Sequence, residues 1–339
     1  MYFTSDNAAG VPPEVLAALT RANNGYTKGY GAEDLSLAVE ARLREVLEAP
    51  EARVFLVATG TAANALALAC LCPPWGTVLC HPQAHIAEDE CGAPEFFTHG
   101  AKLVHCAGAH GRIAPEALVQ ALGATGASVH NSQRGALSLT NVTEAGTVYS
   151  AAQTAQLAGM ARDAGMPVHL DGARFANAVV ATGASPADLT WRAGVDALSF
   201  GGTKNGLMGV EAVVIFDPAR AWEFELRRKR GGHLLSKGRY LAAQMAAMLE
   251  GRRWLEWAVQ ANAMGARLAE GLVARGAALR HPVEANILFP LWPKGTSARL
   301  RAGGAMFYDM PAPEGQEGAR LVTSWATTEA EVDRFLALI

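Results

Sequence analysis

Six lysines stand against twenty-three arginines in this chain of 339 residues, and one of the six is framed unlike the rest. Lys204 lies in Ser199-Phe200-Gly201-Gly202-Thr203-Lys204-Asn205, a loop of small residues after the apolar run 195–200, which reads as a buried strand. Lys28, Lys102, Lys229, Lys237 and Lys294 sit among polar or charged neighbours that suit a solvated cation. Glycines before Lys204 let a backbone or a flat ring come close. An amine between an apolar strand and such a loop loses hydration and becomes a nucleophile, the property a Schiff-base lysine needs. The plain alternative is a lysine in a surface turn.

Upstream, Met166-Pro167-Val168-His169-Leu170-Asp171-Gly172-Ala173-Arg174 is an apolar stretch that ends in an acid, with a base three residues on. Ligand groups gather at the carboxyl ends of strands in open α/β sheets, so Asp171 and Lys204 can face one crevice. Helices read at 175–182 and 186–192 give room for the crossover that makes the two strands parallel. A carboxylate at that point suits the pyridine nitrogen of pyridoxal phosphate, because it keeps the ring protonated and electron-withdrawing. Asp-Gly is also a common turn dipeptide. A third segment, 52–64, runs from a strand into Gly60-Thr61 and a small-residue helix over 62–72. Free amides and the positive end of the helix dipole there bind phosphate, unless Thr61 merely caps an ordinary helix. No Walker lysine and no GxGxxG accompany it.

In this order the three segments resemble the threonine aldolase and β-eliminating lyase family, fold-type I pyridoxal phosphate enzymes of the aspartate-aminotransferase-like class. The likeness runs nearly end to end: Ser5-Asp6-Asn7, Gly10, Pro13-Glu14, Tyr30-Gly31, Gly60 to Asn64, Ala84 to Glu95, Leu170 to Arg174, Ser199 to Asn205 and Ala319 to Trp325. The resemblance implies an α/β fold with a mostly parallel sheet in a large domain, 15–238. A smaller α+β domain is then formed by 1–14 and 239–339. It implies retro-aldol cleavage of L-threonine and L-allo-threonine, and of substrates such as phenylserine, to glycine and an aldehyde. By the same likeness Lys204 bonds the cofactor, Asp171 pairs with its ring nitrogen, His85 stacks on the ring, and Gly60 and Thr61 hold the phosphate with help from Thr203. Ser5, Arg174 and Arg320 meet the substrate carboxylate, to which a guanidinium fork is well matched. Arg228 and Lys237, in the basic run 227–237, and Tyr30 complete the site of an adjacent subunit in a dimer or tetramer.

Some positions depart from the family. Thr143 stands near the place where several relatives have a histidine, and Leu235 near a later arginine of others. The basic run also fits a solvated helix face. His85 fits a satisfied core histidine, or an acid–base group tuned by one of Glu88, Asp89 and Glu90. An aminotransferase or a β-eliminating lyase would use the same lysine, aspartate and phosphate cup. A degenerate carrier or interaction protein is the reading outside catalysis.

Composition narrows the field. Half the residues are hydrophobic and 18% are charged, enough for an ample core. A net charge of −3 speaks against a nucleic-acid partner. Five cysteines in apolar segments, with no spaced framework, suit reduced thiols in the cytoplasm. No HExxH or Cys/His spacing suggests a metal, and neither a signal peptide nor a membrane segment is expected. Strands are expected near 53–58, 77–80, 102–105, 136–140, 167–170, 195–200 and 211–216. A long helix from about 237 to 274, strands at 285–292, 305–309 and 320–325, and a helix over 328–338 complete the reading.

Overall fold

Seven strands form the central sheet: β1 (Arg53–Val57), β2 (Gly76–Cys80), β3 (Lys102–His105), β4 (Gln133–Thr140), β5 (Val168–Gly172), β6 (Ala197–Phe200) and β7 (Glu211–Ile215). The computed structural model describes residues 1–126 and 128–339. The strand order is β1-β7-β6-β5-β4-β2-β3, and β3, β2, β4, β5 and β6 are parallel. β7 lies antiparallel between β1 and β6. Its first residue, Glu211, therefore sits at the edge where β1, β5 and β6 end.

The helices are α1 (Pro13–Ala22), α2 (Asp34–Val46), α3 (Gly60–Leu71), α4 (His85–Glu88), α5 (Ala93–Phe97), α6 (Pro115–Gly123), α7 (Ala151–Asp163), α8 (Phe175–Thr182), α9 (Ala221–Arg230), α10 (Arg239–Leu249), α11 (Arg253–Val273), α12 (Thr296–Ala302) and α13 (Glu329–Leu336). Alternate strand residues feed two cores. Leu56, Leu137, Leu170, Leu198 and Val214 point into one, while Val57, Val78, Ala136 and Val213 point into the other beneath α3. Residues 62–71 of α3 are all buried, as an apolar helix without a polar face must be. That burial pins its amino terminus at the sheet edge.

A second sheet, β11-β12-β10-β8 with β9 on β12, is antiparallel: β8 (Ala278–Leu279), β9 (Ile287–Leu288), β10 (Pro290–Pro293), β11 (Tyr308–Met310) and β12 (Gln316–Val322). The amino-terminal segment joins it, with Phe3 N–H donating to Met306 O at 2.9 Å and Val322 N–H to Phe3 O at 2.9 Å. Phe3, Trp292 and Phe335 centre this third core.

Several elements differ from the sequence expectation. The long helix is two helices, broken where Glu250 turns extended and Gly251 takes a left-handed φ of 62°. α10, expected beyond a boundary at 238/239, packs on α1 and α2 and buries Leu241, Met245 and Met248 in the large core. The third core takes over within α11, from Met264 onward. The helix read over 186–192 is a turn followed by a 3-10 turn, Trp191–Ala193, closed by left-handed Gly194. Among the described residues no helix is long and apolar enough to cross a membrane, and no group of three or more His, Cys, Asp or Glu could hold a metal ion.

Candidate active site

β5 and β6 are in register with Asp171 opposite Ser199, so the loop after β6 brings Lys204 to the mouth of the same strand edge. Gly201 and Gly202 are there for a reason other than ligand approach. A Cβ on Gly201 would lie 2.1 Å from Ala173 O, and one on Gly202 would lie 2.4 Å from Val210 O. The chain's own backbone fills the space, and the lysine turn is clamped between β5 and the start of β7.

A cavity of about 360 Å³ opens beside this turn, lined by Gly60, Thr61, Asn64, His85, Asp171, Thr203, Lys204 and Glu211 among others. At its floor Asp171 is 2% exposed. Asp171 Oδ1 accepts from Ala173 N–H at 3.0 Å and Oδ2 from the Asn64 amide at 3.0 Å. Asn64 also donates to Glu90 Oε1 at 2.8 Å, and that oxygen meets His85 Nδ1 at 2.8 Å. Hydrogen bonding to Glu90 raises the pKa of His85, while burial raises that of Glu90. Of the three acids after His85, Glu90 is thus its partner. Glu88 and Asp89 line the outer vestibule instead.

At the cavity's other end α3 begins. Thr59 uses its hydroxyl to accept from Ala62 N–H and its carbonyl to accept from Ala63 N–H, both at 3.1 Å. The Gly60 and Thr61 amides are left without a protein partner among the described residues. A Cβ on Gly60 would meet nothing within 4 Å. Two free amides, a helix dipole and open space make an anion cup. A cup, a buried carboxylate and an amine around one cavity fit a phosphate, a pyridine nitrogen and an aldehyde carbon.

A second cavity, about 460 Å³, shares Asn7, His85 and Lys204 with the first and adds Ser5, Glu144, Arg174, Tyr308, Arg280, His281 and Arg320. The two arginines are not equivalent. Arg174 is clasped by Asp6, Nε to Oδ2 at 2.6 Å and Nη2 to Oδ1 at 3.0 Å, with both side chains 1% exposed. Glu144 stands 3.9 Å from Arg174 Nη1. Arg320 donates to Thr4 O at 3.3 Å and has no carboxylate within ion-pair distance among the described residues. Burial and the nearby Arg174 charge both press its pKa down, the setting of a cation that lacks its anion.

Arg228, Lys237 and Tyr30 stand apart from both cavities within one chain. Tyr30 and Arg228 line a separate hollow beside β1, and Lys237 is exposed. Arg228 is buried, donates to Leu56 O at 3.3 Å and Glu225 at 2.9 Å, and keeps an Nε without a partner among the described residues. Thr143, at the departing histidine position, is buried against Thr147 at 2.8 Å rather than lining either cavity. Sequence reasoning gave no task to Asp6, Asn64, Glu144 or Glu211. Asn64 had a signal, being the polar residue within the apolar stretch 62–72.

Comparison with known proteins agrees with this geometry. The family model described as beta-eliminating lyase matches residues 3–291. A low specificity L-threonine aldolase of Pseudomonas aeruginosa is 40% identical over 327 residues, covering 96% of this chain and 93% of that protein. Another, from a Pseudomonas species, is 39% identical over 337 residues, 99% of this chain and 96% of that one. A solved threonine aldolase of Leishmania major superposes with a TM-score of 0.94 at 30% identity, covering 99% of this chain and 98% of its own. Serine palmitoyltransferase of Sphingomonas wittichii, at 16% identity, a TM-score of 0.74 and coverage of 100% and 86%, shares the fold. With site and likeness extending over nearly the whole length, the chain belongs to the beta-eliminating lyase family.

Proposed function

We propose that the protein is a pyridoxal phosphate-dependent carbon–carbon lyase that cleaves L-threonine, L-allo-threonine and related L-3-hydroxy-amino acids to glycine and an aldehyde. One observation carries the reading. Arg320, without an anion of its own, faces Lys204 and His85 across a vestibule continuous with the cavity that holds Asp171. An α-amino acid fits between them, carboxylate to Arg320 and amine toward Lys204. The threonine aldolases similar to this chain support the same choice of reaction.

In this reading Gly60 and Thr61 hold the phosphate through their free amides, Asp171 meets the pyridine nitrogen, and Lys204 is the point of covalent attachment. When bound, pyridoxal phosphate supplies an electron sink for the pair left on Cα. Asn64 and the Ala173 amide keep Asp171 aimed. Arg320 and Ser5 grip the substrate carboxylate and so fix which bond at Cα is presented for cleavage. Arg174, committed to Asp6, steadies that clamp and adds charge to it. His85, on the rim common to both cavities, takes the β-hydroxyl proton directly or through a water it holds. Glu90 orients its ring. The reading also places the enzyme in the cytoplasm as a dimer or tetramer, with Arg228, Lys237 and Tyr30 reaching a neighbour's site.

The decisive experiment is borohydride reduction of the purified protein followed by peptide mapping, beside an assay of L-threonine for glycine and acetaldehyde. A pyridoxyl group on Lys204 with glycine formed supports the reading. A label on another lysine, or products of elimination or transamination, overturns it. Inactive monomers in sedimentation are expected; a fully active monomer would remove the shared-site arrangement.

A further inference from the structure

Glu211 lines the cofactor cavity beside Gly60, Thr61 and Lys204, yet the reaction just described gives it no task. It opens β7 in register with Val57, the last residue of β1 before the chain enters the anion cup. The side chain is 6% exposed. Its carboxylate accepts from Gly202 N–H at 2.6 Å, and the neighbouring Thr203 favours its ionised form. Thr203 Oγ1 in turn accepts from Val210 N–H at 3.3 Å. Thr203, which family likeness gives to the phosphate as a helper, thus also neighbours Glu211.

A carboxylate and a phosphate dianion in one hollow repel, and the conflict ends when the weaker acid takes up a proton. We propose that Glu211 binds the phosphate-bearing cofactor as the neutral acid, so that cofactor uptake draws a proton onto Glu211. This rests on the reading that Gly60 and Thr61 hold that phosphate. The proton is within easy reach: burial lifts the pKa of Glu211 to about 7.

The groups around it add little opposition. Lys204, on the adjoining turn, is the cation that favours the ionised form. Asp171 from the end of β5 and His85 from α4 share the cavity. His233, beyond α9, accepts from Ala58 N–H at 3.4 Å, and burial holds it below the usual histidine range. β1 presents Val57, and α10 presents the uncharged Gln244, which accepts from Met208 and Gly209 N–H. Glu211 is thus a positioning residue, holding the Gly202 amide of the lysine turn, whose charge opposes the phosphate.

The test uses full-length apoenzyme, wild type and Glu211→Gln, titrated with pyridoxal phosphate and with pyridoxal at pH values from about 7 to about 9. Glutamine keeps an acceptor for Gly202 and is neutral throughout. The ratio of wild-type to variant Kd for pyridoxal phosphate is expected to rise by at least about tenfold across that range, the slope of one linked proton, and to stay flat for pyridoxal. A flat ratio for pyridoxal phosphate overturns the proposal. An equal rise for pyridoxal also does, because Glu211 would then act through Lys204. Should the variant not fold, proton uptake by the wild type in weak buffer at about pH 8.5 serves instead: about one proton more for pyridoxal phosphate than for pyridoxal supports the proposal, and no difference overturns it. Peptide mapping of the reduced protein separates two failures. Label on Lys204 with a flat ratio removes the Glu211 inference alone; label elsewhere removes the underlying site.

Discussion

Replacing Asp6 by alanine should damage the fold as well as the vestibule, by an amount that the Asp6–Arg174 geometry lets us work out. Both side chains are 1% exposed, and the fork is bidentate at 2.6 and 3.0 Å. Asn286 adds a third bond to Asp6 at 3.1 Å. Removing one partner from such a pair strands a buried guanidinium, a loss of about 3–5 kcal/mol. That is a large fraction of the roughly 5–15 kcal/mol by which a folded protein is stable. Replacing both partners, as in Asp6→Ala with Arg174→Met, removes the guanidinium and its clasping carboxylate together and costs Glu144 only a 3.9 Å contact. The double variant should then lose less than the sum of the single losses, with a coupling of about 1.5 kcal/mol or more. Urea unfolding followed by tryptophan fluorescence measures all four proteins. Losses additive to within about 0.5 kcal/mol would refute the claim that the pair acts as a unit. The same pair works against acid. Burial alone would raise the Asp6 pKa, but Arg174 and Lys204 outweigh it and hold it low. Its stabilisation is present above the unfolded carboxylate pKa and drains as pH falls through the folded value.

Arg320→Ala should lower kcat/KM for L-threonine by roughly 30-fold to several thousand-fold, the equivalent of about 2–5 kcal/mol, while cofactor affinity holds. Normal cleavage by this variant would misplace the carboxylate clamp. Glu90→Gln takes the carboxylate charge out of the bond that raises the His85 pKa, so the acid limb of the kcat/KM profile should move to lower pH; an unmoved limb would exclude the pair from catalysis. His169 is fully buried, and burial depresses its pKa from 6.5 to about 4. The folded chain refuses a proton that the unfolded chain takes up below about 6.5, so about 3 kcal/mol of stability is lost on acidification to about pH 4. His169→Gln should lack that slope in urea unfolding, and parallel slopes in the two proteins would refute it.

The strand ends that carry chemistry were legible because a short apolar run stopping at Asp-Gly or Gly-Gly-Thr-Lys marks both a buried strand and its exit. The site's long-range partners were not legible. Asp6 and Arg174 are 168 positions apart and meet only because the amino-terminal segment closes on the small sheet. The choice of Glu90 over Glu88 and Asp89 depends on α4 ending at Glu88 and on Cys91 and Gly92 turning left-handed, at φ 50° and 74°. Helix lengths failed where a single glycine decided the matter, as Gly251 did between α10 and α11. Gly201 and Gly202 read as admitting a backbone or a flat ring, and what they admit is the backbone of Ala173 and Val210.

The place of β7 has a bearing on how the protein is made. β1 is an edge strand whose sole neighbour in the sheet is β7, so Val57 has to wait for Glu211 while every parallel strand is synthesised between them. Until then Val54-Phe55-Leu56-Val57 is an apolar ribbon with open hydrogen-bonding groups, the kind of edge that invites pairing with another chain. Closure over so long a loop is slow and comes late. A nascent chain that already contains Asp171 and Lys204 still lacks an anchored phosphate cup. The cofactor should therefore stabilise the finished protein without rescuing earlier intermediates, and the interval most dangerous to this enzyme lies before its last central strand is in place.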